Sequence, residues 1–93
     1  MHEYPIDGEL DLHVFDPSDV GDLVPEYLRA CREKEILRVR IIHGKGTGTL
    51  RRQVRQILET HPHVARYNKA TDASGWGATI AHLVPPEDNG VDP

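Results

Sequence analysis

Ile41-Ile42-His43-Gly44-Lys45-Gly46-Thr47-Gly48-Thr49-Leu50-Arg51 passes from an apolar run, through alternate glycines, into a basic segment. The residues leading into it, from Ile36, are rich in β-branched side chains, and Val39 and Ile41 alternate with Arg38 and Arg40. That pattern predicts a strand over 36–43 that becomes apolar on both faces towards its end. Beyond the glycines, Leu50, Val54, Ile57 and Leu58 recur at helical spacing, while Arg51, Arg52 and Arg55 lie off that stripe. This predicts a helix capped by Thr47 or Thr49 and stopped at His61-Pro62. The stretch therefore reads as strand, tight loop, helix, which is one half of a right-handed strand–helix–strand unit.

The same unit precedes it. Glu9 to Val14 alternates polar and apolar residues, the period of a half-buried strand, with Leu10, Leu12 and Val14 on one face and Asp11 and His13 on the other. Asp16-Pro17 reads as a helix start, and Val20, Leu23, Val24, Tyr27, Leu28 and Cys31 follow at helical spacing. Pro25 falls inside this run, so either the helix kinks there or a short turn precedes a helix beginning near Asp22. Downstream, Val64–Lys69 reads as a third strand, 70–76 as a loop and Gly77–Val84 as a fourth strand. The order is β-α-β-α-β-β. Each helix has one apolar stripe, so the expected fold is an α/β two-layer sandwich: a four-stranded mixed sheet with two helices packed on one face. The other face should stay open in part. Residues 1–8 form an N-terminal extension and 9–84 the domain. The tail 85–93, Pro-Pro-Glu-Asp-Asn-Gly-Val-Asp-Pro, should be poorly ordered.

The 93 residues carry 11 Lys and Arg against 15 Asp and Glu, a net charge of −4. That average hides a segregation. Residues 1–35 hold ten acids and three bases, 36–58 hold six bases and no acid, and 59–93 hold five acids and two bases. The basic stretch coincides with the glycine loop and its helix. The single cysteine, Cys31, excludes an internal disulfide and a cysteine-based zinc site, and a reducing cytoplasmic setting is the expectation. No apolar run reaches the roughly 20 residues of a membrane span, and the acidic start lacks the order of a secretory signal.

The loop is suited to phosphate. Glycines at 44, 46 and 48 let the backbone approach a ligand, and the helix that follows offers the positive end of its dipole. Lys45, Arg51 and Arg52 add full charges. The loop is neither a P-loop, since Thr49-Leu50 rather than Lys-Ser/Thr follows Gly48, nor a dinucleotide fingerprint, since position 49 is Thr. Its alternative is a tight strand-to-helix turn with arginines for solubility. Asp11 and His13 form a second constellation. If their strand neighbours the second one, His43 joins them. An imidazole can act as general base near neutral pH, oriented by a carboxylate. A pair of ordinary polar residues on a solvent-facing strand is the plainer alternative. Trp76, between two glycines, either stacks on a base or packs over the sheet edge. Tyr27 and Cys31 belong to the core stripe, His61-Pro62-His63 to a helix terminus, and His82 to a sheet surface.

Leu10-Asp11-Leu12-His13, then Ile42 to Arg51, then Gly75-Trp76-Gly77-Ala78-Thr79 together resemble the Smr (small MutS-related) domain in order and spacing, over about residues 9–84. The resemblance implies the same β-α-β-α-β-β sandwich and, for several members, nicking or cleavage of DNA or RNA. It implies a catalytic element at Asp11 and His13. It also implies nucleic-acid contact or catalysis at His43, Gly44 and Gly46. The family often has Gly directly after the first His; here Val14 stands there, which bears on access to His13.

Two functions follow as expectations. The first is an endonuclease: His43, Gly44, Lys45, Gly46, Thr47, Gly48, Arg51, Arg52 and Arg55 hold phosphate, His13 assisted by Asp11 acts as base, and His43 as acid. Should a metal take part, Mg²⁺ or Mn²⁺ on Asp11 is the expected choice. The second is a non-catalytic module that binds nucleic acid or a ribonucleoprotein through the same basic surface.

Overall fold

The structure is a computed structural model that describes residues 4–46, 48–71 and 77–86. Thr47, Ser74, Trp76 and the tail from residue 87 lie outside the described residues. The chain forms β1 (Glu9–Asp11), α1 (Val20–Glu33), β2 (Arg38–Ile42), α2 (Thr49–Thr60), β3 (Val64–Lys69) and β4 (Ala78–Leu83). The sheet order is β1-β2-β4-β3. β1 runs parallel to β2 with Asp11 opposite Ile42, and β4 is antiparallel to both of its neighbours. The expected four-stranded mixed sheet is the one observed.

Both helices cover one face. Val20, Val24, Tyr27, Leu28 and Cys31 of α1 and Val54 and Leu58 of α2 share a core with Leu10, Val39, Ile41, Ala81 and Leu83 from the sheet. The strand period of two sends Arg38, Arg40 and Ile42 to the opposite face. There Ile42 packs on a small cluster of Ala70, Ala78 and Ile80, and Arg38 and Arg66 stand exposed opposite His82. His82 hydrogen-bonds Asn68 on that surface.

Local chemistry shifts several boundaries. β1 does not run to Val14: it stops at Asp11, and Leu12–Val14 form a 3₁₀ turn. The Asp11 carboxylate accepts the His13 backbone N–H at 2.9 Å, a local bond that competes with the strand ladder. Val14 consequently leaves the apolar face and is 76% exposed. Asp16 caps a second 3₁₀ turn, Pro17–Asp19, by accepting from Ser18, and α1 begins at Val20 rather than near Asp22. Pro25 is absorbed within α1. The N-cap of α2 is Gly48, at φ 89°, rather than Thr49, and Thr47 lies outside the described residues.

α1 ends in a left-handed turn. The Ile36 amide donates to the Cys31 carbonyl at 2.8 Å and the Glu35 amide to Arg32 at 2.9 Å, the paired bonds of a Schellman cap. Glu35 occupies the left-handed position at φ 63°, the one described non-glycine residue to do so. On the other side, Tyr27 secures the chain entering β1. Its hydroxyl accepts the Gly8 amide at 3.0 Å and lies 3.1 Å from the Glu9 carbonyl and 3.3 Å from the Asp7 carboxylate. Burial, chiefly, pushes this phenol up to about 12. Tyr4 adds an edge-on contact to Phe15 and a tilted one to Tyr27, so residues 4–8 pack on the core.

Candidate nucleic-acid interface and catalytic pair

The 3₁₀ turn after β1 creates the Asp11–His13 pair. Asp11 Oδ1 lies 2.9 Å from His13 Nδ1 as well as capping the turn. A carboxylate only accepts, so Nδ1 carries a proton, and in the neutral ring Nε2 keeps its lone pair. Both side chains are reachable, His13 at 59% exposure and Asp11 at 47%. The sequence places the two on one strand face; the structure joins them through a turn, in direct contact.

Parallel pairing of β1 with β2 brings this pair against the glycine loop. Gly44 is at φ 83°, and a Cβ there would lie 2.6 Å from His13 Nε2. The imidazole therefore occupies the space that any side chain at position 44 would fill, and its Nε2 edge faces the loop. Gly46 has nothing within 4 Å of such a Cβ and a φ outside the left-handed range.

A hollow of about 130 Å³ opens beneath the loop, lined by His43, Gly44, Gly46, Gly48, Thr49, Leu50 and Arg51. The N-terminus of α2 points its dipole into it, and no acid stands in the first turn of that helix. Arg51 lines the hollow, and Arg55, one turn on, is close enough to act on His43 electrostatically. Lys45 is exposed beside it, and Gly77 approaches the Lys45 side chain. Arg52 is exposed and does not line the hollow.

His43 is 4% exposed. Its Nδ1 lies 2.9 Å from the Gly44 carbonyl and its Nε2 2.9 Å from the Thr79 hydroxyl. The carbonyl can only accept, so Nδ1 donates to it and Nε2 of the neutral ring accepts from Thr79. Burial first, then Arg51, Arg55 and His13, pull its pKa below the usual imidazole range. The Gly77 carbonyl completes the frame by accepting both the His43 and the Gly44 amide at 2.9 Å. Thr79 and Gly77 are the contributors that residue chemistry alone does not single out. Their signal is the Gly-Trp-Gly-Ala-Thr stretch as a motif. Among the described residues no group of three or more His, Cys, Asp or Glu side chains is gathered to hold a metal ion. No helix of the described residues is long and apolar enough to cross a membrane.

The chain can now be set beside known proteins. The Smr domain family model matches residues 10–84. The Endonuclease MutS2 of Caldicellulosiruptor bescii is 37% identical over 84 residues, which is 89% of this chain and 11% of that protein. That of Clostridium botulinum strain Eklund 17B is 33% identical over the same length and shares of the two chains. The chain thus spans about a tenth of these curated relatives. Among solved structures, the Smr domain of Thermus thermophilus MutS2 superposes with a TM-score of 0.78 at 30% identity, covering 85% of this chain and all of that one. YdaL, a stand-alone small MutS-related protein from Escherichia coli, gives 0.76 at 25% identity over 87% of this chain and 67% of its own. The matched span takes in the Asp11–His13 turn, the glycine loop and the Gly77–Thr79 frame, and this chain belongs to the Smr domain family.

Proposed function

We propose that this chain is a nucleic-acid endonuclease, cleaving or nicking DNA or RNA. The observation that carries the reading is the placement of His13: Asp11 holds its Nδ1, and its Nε2 edge faces Gly44 at the mouth of the basic hollow. A phosphate seated there meets the N-terminus of α2 and Arg51, with Lys45 alongside, and these groups stabilise the charge that builds on its oxygens. His13 Nε2 takes a proton from water or from a ribose 2′-hydroxyl as that oxygen bonds to phosphorus. The P–O bond to the leaving oxygen breaks, that oxygen takes its proton from solvent, and Asp11 steadies the imidazolium until it returns its proton to solvent. His43 has both ring nitrogens engaged and is buried. Its role in this reading is positioning: it fixes Gly44 and so the space for His13, in place of the acid role expected from the sequence. Asp11 is the carboxylate available to a Mg²⁺ or Mn²⁺ ion, whose chemistry would be to neutralise the phosphate. The MutS2 relatives are themselves named endonucleases, which supports the class.

The bond-saturated state of His43 favours a second reading, a binding module that uses the same hollow without turnover. One assay separates them. End-labelled single-stranded DNA, duplex DNA and structured RNA are incubated with the purified chain, with and without chelator, beside His13→Ala and the Arg51→Ala/Arg55→Ala double variant. Cleavage lost in His13→Ala while binding persists supports the enzyme. Unchanged cleavage in that variant overturns the mechanism, and binding without cleavage by the unmodified chain supports the module. For each arginine that contacts phosphate, removal should flatten the salt dependence by a slope of about 0.7 to 0.9.

A further inference from the structure

We propose that the groove between residues 4–15 and α1 docks a cationic protein segment carrying an apolar anchor residue. This goes beyond nucleic-acid cleavage and does not depend on it. A hollow of about 520 Å³ is floored by Tyr4, Val14, Phe15 and Leu23. Its rim is acidic, formed by Asp19, Asp22 and Glu26. A second hollow of about 180 Å³ shares Tyr4, Val14 and Phe15 and reaches Glu9 and Asp11. Among the described residues the two are lined by five carboxylate residues and no Lys, Arg or His.

Val14 marks the apolar part. It is the one large hydrophobic among the described residues to stand exposed, at 76%. The carboxylates decide the occupant. A phosphate backbone or an anionic lipid surface would be repelled by five like charges, whereas a Lys- or Arg-bearing segment is attracted, and an apolar side chain from it can cover Val14. The groove ends at Asp11, beside His13. Cationic segments are what nucleic-acid-bound proteins carry, so such a partner would present its nucleic acid next to the basic hollow. The acidic half and the basic half of the chain then have separate tasks on adjacent surfaces.

The test is titration of the full ¹⁵N-labelled chain with a synthetic twelve-residue Lys/Leu peptide, followed by amide NMR. Controls are an all-Lys and a Glu/Leu peptide, and the variants are Asp19→Asn/Asp22→Asn/Glu26→Gln and Val14→Ser, all at exposed positions. Shifts should concentrate at Val14, Phe15 and Leu23. Affinity should fall about tenfold or more in the charge variant and severalfold in Val14→Ser, and the all-Lys peptide should bind more weakly. Shifts scattered over remote acids such as Glu33 and Glu59, or equal affinity in both variants, overturn the proposal. Self-association abolished by the same substitutions would assign the groove to a second copy instead. Oligonucleotide-induced shifts confined to it would assign it to nucleic acid. Either result also overturns the proposal.

Discussion

Replacing Gly44 with alanine should act on the fold and on His13 through one methyl group. The backbone there is left-handed at φ 83°, a conformation that costs an L side chain about 1–2 kcal/mol. The added Cβ would stand 2.6 Å from His13 Nε2, where ordinary contact begins at 3.4 Å. The ring must retreat by most of an ångström, and its 2.9 Å bond to Asp11 cannot survive unless Asp11 follows. Losing that bond adds about 1 kcal/mol, for a total of about 2–3 kcal/mol. Two neighbours calibrate the figure. Gly46→Ala meets nothing within 4 Å and should change stability by less than about 0.5 kcal/mol. Gly48→Ala has the backbone strain at φ 89° but meets only the Arg51 guanidinium at 3.6 Å, an ordinary contact, so it should cost about 1 kcal/mol. Urea unfolding of the three variants ranks them, and ¹⁵N-detected imidazole spectra report the His13 ring. Any cleavage activity should fall about a hundredfold in Gly44→Ala, the cost of misplacing a reacting group by about 1 Å. A Gly44→Ala protein as stable as Gly46→Ala, with His13 ring signals unmoved, refutes the argument.

Three further outcomes follow from the packing. Glu35→Gly relieves the left-handed strain at the end of α1 and should raise stability by about 0.5–1 kcal/mol in urea melts; a loss would show that the Glu35 side chain contributes something its backbone position does not reveal. Tyr27→Phe leaves the Gly8 amide without its acceptor and should cost about 1–2 kcal/mol, with amide exchange accelerated at Gly8 and Glu9 if the tie holds β1. The third outcome concerns pH. Burial is the first cause that pulls His43, His61 and His82 below the ordinary 6.5. As pH falls through that value the unfolded chain takes up protons that the folded chain resists. Stability from these groups is therefore full above pH 6.5 and is lost as pH falls through their folded values. Unfolding midpoints at pH 7.5, 6.5 and 5.5 should decline in that order, and a flat or rising series contradicts the assignment.

The fold was readable wherever burial dictated pattern. The alternation in β2 and the helical stripes of α1 and α2 placed those elements, and Val64–Lys69 matched β3 residue for residue. Boundaries failed where a side chain or the backbone took over a task that burial did not govern. The polar/apolar alternation continues through Val14 in sequence, but the Asp11 carboxylate captures the His13 amide and ends the strand. Thr49 is a chemically sound cap, yet a left-handed Gly48 takes the N-cap position and Thr49 becomes the first residue of α2. At the site, Asp11, His13, His43, Gly44 and Arg51 come together because β1 neighbours β2, a pairing that follows from the strand–helix–strand unit. Arg52 carries the right charge but stands exposed, outside the lining of the hollow. Thr79 and Gly77 were legible only as part of a motif, because their contribution depends on β4 inserting beside β2, which no local pattern encodes.

That insertion also sets a timetable. β4 is the last of the four sheet strands in chain order, yet it lies between β2 and β3. Gly77, just ahead of it, supplies the carbonyl that holds the His43 and Gly44 amides. On a chain still leaving the ribosome, Asp11, His13 and the whole glycine loop emerge while the inner edge of β2 has no partner and the loop has no anchor. The basic hollow and the His13 niche take shape only once residues 77–83 are free to pair, so the growing chain carries the site unassembled until almost the whole domain is out.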